Sequence, residues 1–338
     1  MTGRSVLHEA GARQSTAQRR RTRRRRRALA ALVTVALAVA TLLAFMAADA
    51  SGPRSPRHRL AARSPTPAGR RVAPPQYGAT LAPAFARVTV KRLKLGLRSG
   101  ILFDVRTGRV MWGRDPTAIT PIASLTKMMT ALVVVAHAKP SDRVLITSAA
   151  TQFTGSGVGL LPLGKRVPLL ALLYGLLLPS GNDAAIALAQ HVAGNQAKFI
   201  GMMNRRASAM GLTCTHFSSV SGVVDQGNYS CTRDMAVLAH AMLLQPLLRR
   251  IVATRSAVIP FPIKGGRLYL YNNNPLLLGR YAGADGVKTG YTVAAGQCLV
   301  ATARRGAAWL GVVLLHSGDI YDQGEQLLNA GFAKLRAR

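Results

Sequence analysis

The sequence predicts an α+β fold in which one antiparallel sheet is assembled from both ends of the folded region. Three observations carry this reading. Strand-length apolar stretches open the region after residue 90, and helix-length apolar stretches fill its middle. Strand patterns punctuated by glycine and charge then return between 283 and 317, ahead of a last amphipathic segment.

Residues 100–115, GILFDVRTGRVMWGRD, read as two short strands about a turn at Arg106-Thr107-Gly108. Pro121 to Lys127 runs into MMTALVVVAHA, a long apolar helix with Ser124 in its first turn. Residues 167–179, VPLLALLYGLLLP, read as a second apolar helix stopped at Pro179. Residues 183–211 form a helix pair, and 232–246 a further helix with Thr232 and Asp234 as capping residues. After Asn272-Asn273-Asn274 the period changes, and 283–317 reads as an antiparallel meander of GVKTGYT, QCLVATARR and WLGVVLLHS. IYDQGEQLLNAGFAKL is the closing helix. No internal repeat is visible.

The net charge of +33 is not spread evenly: residues 1–50 hold ten Arg against Glu9 and Asp49, and residues 51–98 hold eleven Arg and Lys and no acid. Residues 1–27 form a basic tail in which Arg19 to Arg27 is broken only by Thr22. At once there comes the uncharged run 28–48, ALAALVTVALAVATLLAFMAA, within a segment 28–50 read as a transmembrane anchor or signal peptide. Its length favours the anchor, while Ala48-Asp49-Ala50 offers a small-residue cleavage site. Arginines before an apolar run stay in the cytoplasm, so the chain beyond residue 50 is expected outside it. That topology excludes nucleic acid and leaves the membrane, through 28–48, and anionic wall polymers as partners of the charge. Residues 51–84, rich in Pro, Arg, Ser and Ala, read as an extended linker, and 85–338 as the folded domain.

Three cysteines fit an oxidising compartment. Cys214 and Cys231 lie close together in a turn-rich polar stretch and are expected to pair, for about 3 kcal/mol of stabilisation. Cys298, in an apolar run, reads as core. There is no Cys-x-x-Cys and no His cluster, so neither a metal nor a cofactor is expected.

Three short motifs carry chemistry. In Ser124-Leu125-Thr126-Lys127 the helical spacing brings Lys127 back to the Ser124 hydroxyl. A serine needs such a base, and a lysine serves only if desolvation or a nearby cation keeps it neutral. The Ser124 N–H at a helix start can also face a developing oxyanion. Ser180-Gly181-Asn182 sits at an element boundary, where a hydroxyl and an amide can relay a proton and hold a carbonyl; taken alone it reads as an ordinary helix cap. Lys288-Thr289-Gly290 offers a cation and a hydroxyl to a terminal carboxylate, with a glycine that admits a ligand backbone. Each motif is common by itself, and the ordered set is not.

In that order the motifs resemble those of penicillin-binding proteins and serine β-lactamases. The chain is similar to the low-molecular-mass D-alanyl-D-alanine carboxypeptidases, serine peptidase family S11, from about residue 98 to 332. ILFDVRTGRV, PIASLTKMMTAL, LLLPSGNDAAIALAQHVAG, GLTCTHF, NNNPLL, GADGVKTGYT and QCLVATARRG carry the likeness. The resemblance implies a β-lactamase/transpeptidase-like fold with a helical subdomain. It implies Ser124 as nucleophile, Lys127 as its base, Ser180 as proton relay and Asn182 as a second wall. It further implies Lys288, Thr289 and Gly290 around the substrate carboxylate, with the Tyr291 N–H completing an oxyanion hole. Peptidoglycan stem peptides and β-lactams are the partners it implies.

Class A β-lactamases also need a glutamate, and here Glu9 and Glu325 are the only two, neither between the motifs. An endopeptidase, a transpeptidase or a catalytically weak wall-binding protein stays open as an alternative. Many S11 members carry a second β-rich domain and a C-terminal amphipathic helix. The sequence after the closing helix leaves no room for either, so any membrane attachment is expected from 28–48. SSVSGVV at 218–224 departs from the family's usual stretch and receives no role.

Overall fold

Strands that are covered on both faces need apolar side chains at successive positions, and three strands here show that pattern. The computed structural model describes Leu93 and residues 95–336 with the exception of Leu160. The proposed tail, apolar segment and linker therefore lie outside the described residues.

Strands β1 (Leu97–Asp104) and β2 (Val110–Arg114) form the first hairpin. The Asp104 carboxylate accepts from the N–H groups of Arg106 and Thr107, and Gly108 takes the left-handed conformation (φ 73°) that closes the turn. A short β3 (Thr120–Pro121) leads into a 3₁₀ turn, Ala123–Thr126, and helix α1 (Lys127–His137). Next come β4 (Arg143–Leu145), α2 (Ser148–Thr151), β5 (Arg166–Pro168), α3 (Leu169–Leu177), α4 (Asn182–Ala193) and α5 (Gln196–Ala209). The short β6 (Tyr229–Ser230) precedes α6 (Thr232–Leu243) and α7 (Pro246–Val252). A hairpin of β7 (Ser256–Pro260) and β8 (Arg267–Tyr271) comes next, then α8 (Pro275–Leu278). Strands β9 (Ala284–Thr292), β10 (Gly296–Arg305) and β11 (Ala308–Ser317) precede α9 (Ile320–Arg336).

The main sheet has the order β2-β1-β11-β10-β9, with Leu102 opposite Val312 and Val300 opposite both Val313 and Lys288. It is antiparallel and draws on both ends of the folded region. Its residues divide by face. Leu102, Leu310 and Leu314 pack with Leu327, Leu328 and Phe332 of α9. Ile101, Phe103, Val300 and Val313 join the larger core made with α1, α3, α4 and α6.

The structure moves some boundaries. Ser124 lies in the 3₁₀ turn ahead of α1 rather than in an α-helical turn, because Ala123 adopts a left-handed φ of 47° that bends the entry to the helix. The segment 167–179 begins as β5, which pairs with β4 at Val144 and Val167, and turns helical only after Pro168, whose missing N–H suits a helix start. Strand structure resumes at Ser256, before the three asparagines. Cys214 and Cys231 are joined in a disulfide across a Cα–Cα distance of 5.6 Å, and Cys298 is buried in β10. No single helix among the described residues is long and apolar enough to cross a membrane.

Candidate active site

The 3₁₀ turn carrying Ser124 is held from three sides. The Thr126 hydroxyl donates to the Ala123 carbonyl at 2.8 Å and accepts from the Asn228 amide at 2.8 Å. Gly222, at φ 78°, lies so close that a Cβ there would fall 1.9 Å from the Ala123 oxygen. On the third side is β9, where a Cβ on Gly290 would come within 2.9 Å of the Ser124 nitrogen. A side chain at 290 would thus occupy the approach to the Ser124 N–H.

Lys127 opens α1 with its side chain at 0% exposure. Its Nζ lies 2.7 Å from Ser124 Oγ, 2.7 Å from Asn182 Oδ1 and 2.8 Å from the Ser221 carbonyl oxygen. The Asn182 amide nitrogen donates to the Thr154 carbonyl at 2.6 Å, which fixes the oxygen end toward the lysine. Burial holds the Lys127 amine well below its usual range, the charge of Lys288 lowers it further, and Asp183 opposes both. Burial pushes the Asp183 carboxyl up in turn, against hydrogen bonds from the N–H groups of Val158 and Ala184.

Ser180 leads into α4 from a left-handed backbone (φ 69°), a conformation that costs a non-glycine residue about 1–3 kcal/mol. Its Oγ is buried and accepts or donates no hydrogen bond among the described residues. Strained backbone and an unpartnered hydroxyl meet at one residue, the pattern of a group held ready for a ligand.

Lys288 sits in edge strand β9 at 1% exposure. Its Nζ donates to the carbonyl of its own neighbour, Thr289, at 2.8 Å, and burial lowers its pKa to about 7. Thr289 and Gly290 come next along the strand, and Tyr291 stands exposed near its end. The Thr292 hydroxyl donates to Asp225 Oδ1 at 2.7 Å and so ties the end of β9 to the 218–228 loop.

Ser124, Lys127 and Asn182 are thus in direct contact, Gly290 packs on the Ser124 turn, and Lys288 lies within electrostatic reach of Lys127. Sequence reasoning missed the Ser221 carbonyl and the clamp of Thr126, Gly222 and Asn228. The only signal was Gly222, a glycine between Ser221 and Val223 in the very stretch that had no assigned role.

The family model described as D-alanyl-D-alanine carboxypeptidase, Peptidase S11, matches residues 86–318. The chain is 37% identical over 241 residues to D-alanyl-D-alanine carboxypeptidase DacB2 of Mycobacterium tuberculosis, a match covering 69% of this chain and 81% of the relative. It is 34% identical to DacF of Bacillus subtilis over 67% of this chain but spans only 60% of that protein's length. Among solved structures, the Streptomyces K15 DD-transpeptidase superposes with a TM-score of 0.68 at 32% identity, over 72% of this chain and 99% of the other.

Proposed function

The chain belongs to the S11 peptidase family, and on that premise we propose that it is a serine D-alanyl-D-alanine carboxypeptidase that releases the last D-alanine of peptidoglycan stem pentapeptides through an ester on Ser124. The environment of Lys127 carries the reading. A charged amine would donate to all three oxygens around it. A neutral one donates its two hydrogens to the carbonyls of Asn182 and Ser221, which can only accept, and so turns its lone pair to the Ser124 hydroxyl. The same cage serves both protonation states without rearrangement, as a group that takes and returns a proton requires.

Ser124 Oγ attacks the carbonyl carbon between the two D-alanines while its proton passes to Lys127 Nζ. Negative charge on the carbonyl oxygen meets the N–H groups of Ser124 and Tyr291. The Ser180 hydroxyl, unpartnered among the described residues, gives its proton to the departing amine and takes in return the one Lys127 received from Ser124, which leaves Lys127 neutral again. Lys288 and Thr289 hold the terminal carboxylate, an anion that gives the buried Lys288 amine a counter-charge. Water then cleaves the ester, and a β-lactam stops at this stage because its ring-opened product keeps the leaving group attached. The reaction lies outside the cytoplasm, with residues 28–48 as the membrane attachment.

Likeness to a protein named a DD-transpeptidase supports a second reading, in which an amine takes the acyl group in place of water. D-alanine release from a pentapeptide, measured with and without a free amino acid as acceptor, separates the two by whether hydrolysed or transferred product accumulates.

A further inference from the structure

The hairpin β7–β8 presents an outward face made of three cross-strand pairs, Ser256 with Tyr271, Val258 with Tyr269 and Pro260 with Arg267. Val258, Tyr269 and Tyr271 are 54%, 58% and 64% exposed, so two phenol rings and an aliphatic side chain stand in water on one face of the hairpin. Tyr269 and Tyr271 are two positions apart, which sets their origins about 7 Å from each other along the strand. Arg255, Lys264 and Arg267 are exposed around them, and the sequence from 235 to 284 contains no Asp or Glu. The chain leaving Tyr271 reaches the catalytic loop directly. Asn273 donates from its backbone to the Leu178 carbonyl and from its side chain to the Pro179 carbonyl, each at 3.2 Å, beside Ser180.

We propose that this aromatic and cationic hairpin face is a docking platform for the glycan strand that carries the stem peptide, so that the enzyme acts preferentially on polymeric substrate. Sugar rings expose C–H bonds on their faces, and these pack on the electron-rich faces of tyrosine rings. Carboxylates on neighbouring stem peptides complement Arg255, Lys264 and Arg267, which form no ion pair among the described residues. A single peptide reaches Ser124, and the polymer that carries it can extend along the hairpin, whose continuation at Asn273 is bonded to the segment that leads into Ser180. The inference rests on the carboxypeptidase reading.

The test compares wild type, Tyr269→Ala/Tyr271→Ala and Tyr269→Phe/Tyr271→Phe. D-alanine release is measured from a soluble pentapeptide and from the same pentapeptide on polymeric glycan strands, beside co-sedimentation with peptide-free glycan strands. The alanine pair is expected to match wild type on the soluble peptide, to lose about tenfold on the polymer and to lose co-sedimentation, as removal of two exposed anchors predicts. The phenylalanine pair keeps the rings and is expected to keep both. An equal fall on the two substrates, or no fall on either, would overturn the proposal. So would undiminished glycan binding with lost binding to anionic phospholipid vesicles, which would make the face a lipid contact. Wild type that releases no D-alanine from the soluble peptide would defeat the carboxypeptidase reading, while glycan co-sedimentation would still decide for or against the platform.

Discussion

The start of α1 and the edge strand β9 each bury a lysine, and the two are treated differently. Lys127 is surrounded by three oxygens drawn from α1's own entry turn, from α4 and from the 218–228 loop. Among the described residues Lys288 has one, the carbonyl of the next residue. Desolvation lowers both amines. The protein has completed the shell of Lys127, which suits a base that must keep its geometry through a proton transfer. Among the described residues it has left the shell of Lys288 incomplete, which suits the proposed role of a cation that pairs with the substrate. The difference teaches that two similar burials can mean opposite roles, and that the hydrogen-bond partners decide between them.

The comparison breaks most readily at Lys127. Lys127→Ala is expected to slow acylation by penicillin about 10²–10⁴-fold, the usual worth of a positioned base, with folding retained. At Lys288 the expected loss is about 10²-fold in kcat/KM toward peptides with a free terminal carboxylate, the scale for removing one partner of a buried charge pair. Methyl-esterified peptide should suffer much less from Lys288→Met, and equal losses on both substrates would deny Lys288 its role as carboxylate anchor.

The two lysines also predict opposite limbs of the pH profile. As the proposed base, Lys127 has to be neutral and its pKa is lowered, so activity is expected to fall as pH drops through the folded-state value. As the proposed carboxylate anchor, Lys288 has to be charged, so kcat/KM is expected to decline as pH rises above about 7. Stability carries a sign as well. The unfolded chain binds more protons than the folded one between about 7 and 10.5 at Lys288, so wild type gains stability as pH rises through that window. Lys288→Met should flatten the slope and raise the urea midpoint at neutral pH.

Smaller effects sharpen the contrast between chemistry and scaffold. Gly290→Ala places a methyl against the Ser124 nitrogen and is expected to cost about tenfold in acylation through a misplaced oxyanion site, on the scale of losing part of one donor. Cys214→Ala/Cys231→Ala removes a cross-link and should lower unfolding free energy by about 3 kcal/mol while leaving kcat near wild type, since neither sulfur touches the site.

What was legible in the sequence was local. Ser124 and Lys127 announce each other through their three-residue spacing, and β10 and β11 announce themselves through runs of Val, Leu and Ala that both faces of the sheet require. The contact of Lys127 with the Ser221 carbonyl was not legible, because a backbone oxygen 94 residues away has no side-chain signature. Ser180 shows as a cap-like residue, and only the fold reveals its left-handed backbone and idle hydroxyl. The β7–β8 hairpin was passed over although Gly265 and Gly266 mark its turn, because Ser256 to Pro260 is too short and too mixed to display a period.

The most direct test of Ser124 as the acylated residue is the intact mass of the purified chain after brief exposure to penicillin, beside Ser124→Ala, with D-alanine release from a pentapeptide measured on the same samples. A stable adduct that maps to Ser124 is expected in wild type alone, and D-alanine from wild type alone. An adduct on Ser124→Ala, or D-alanine released by it at the wild-type rate, would contradict the account.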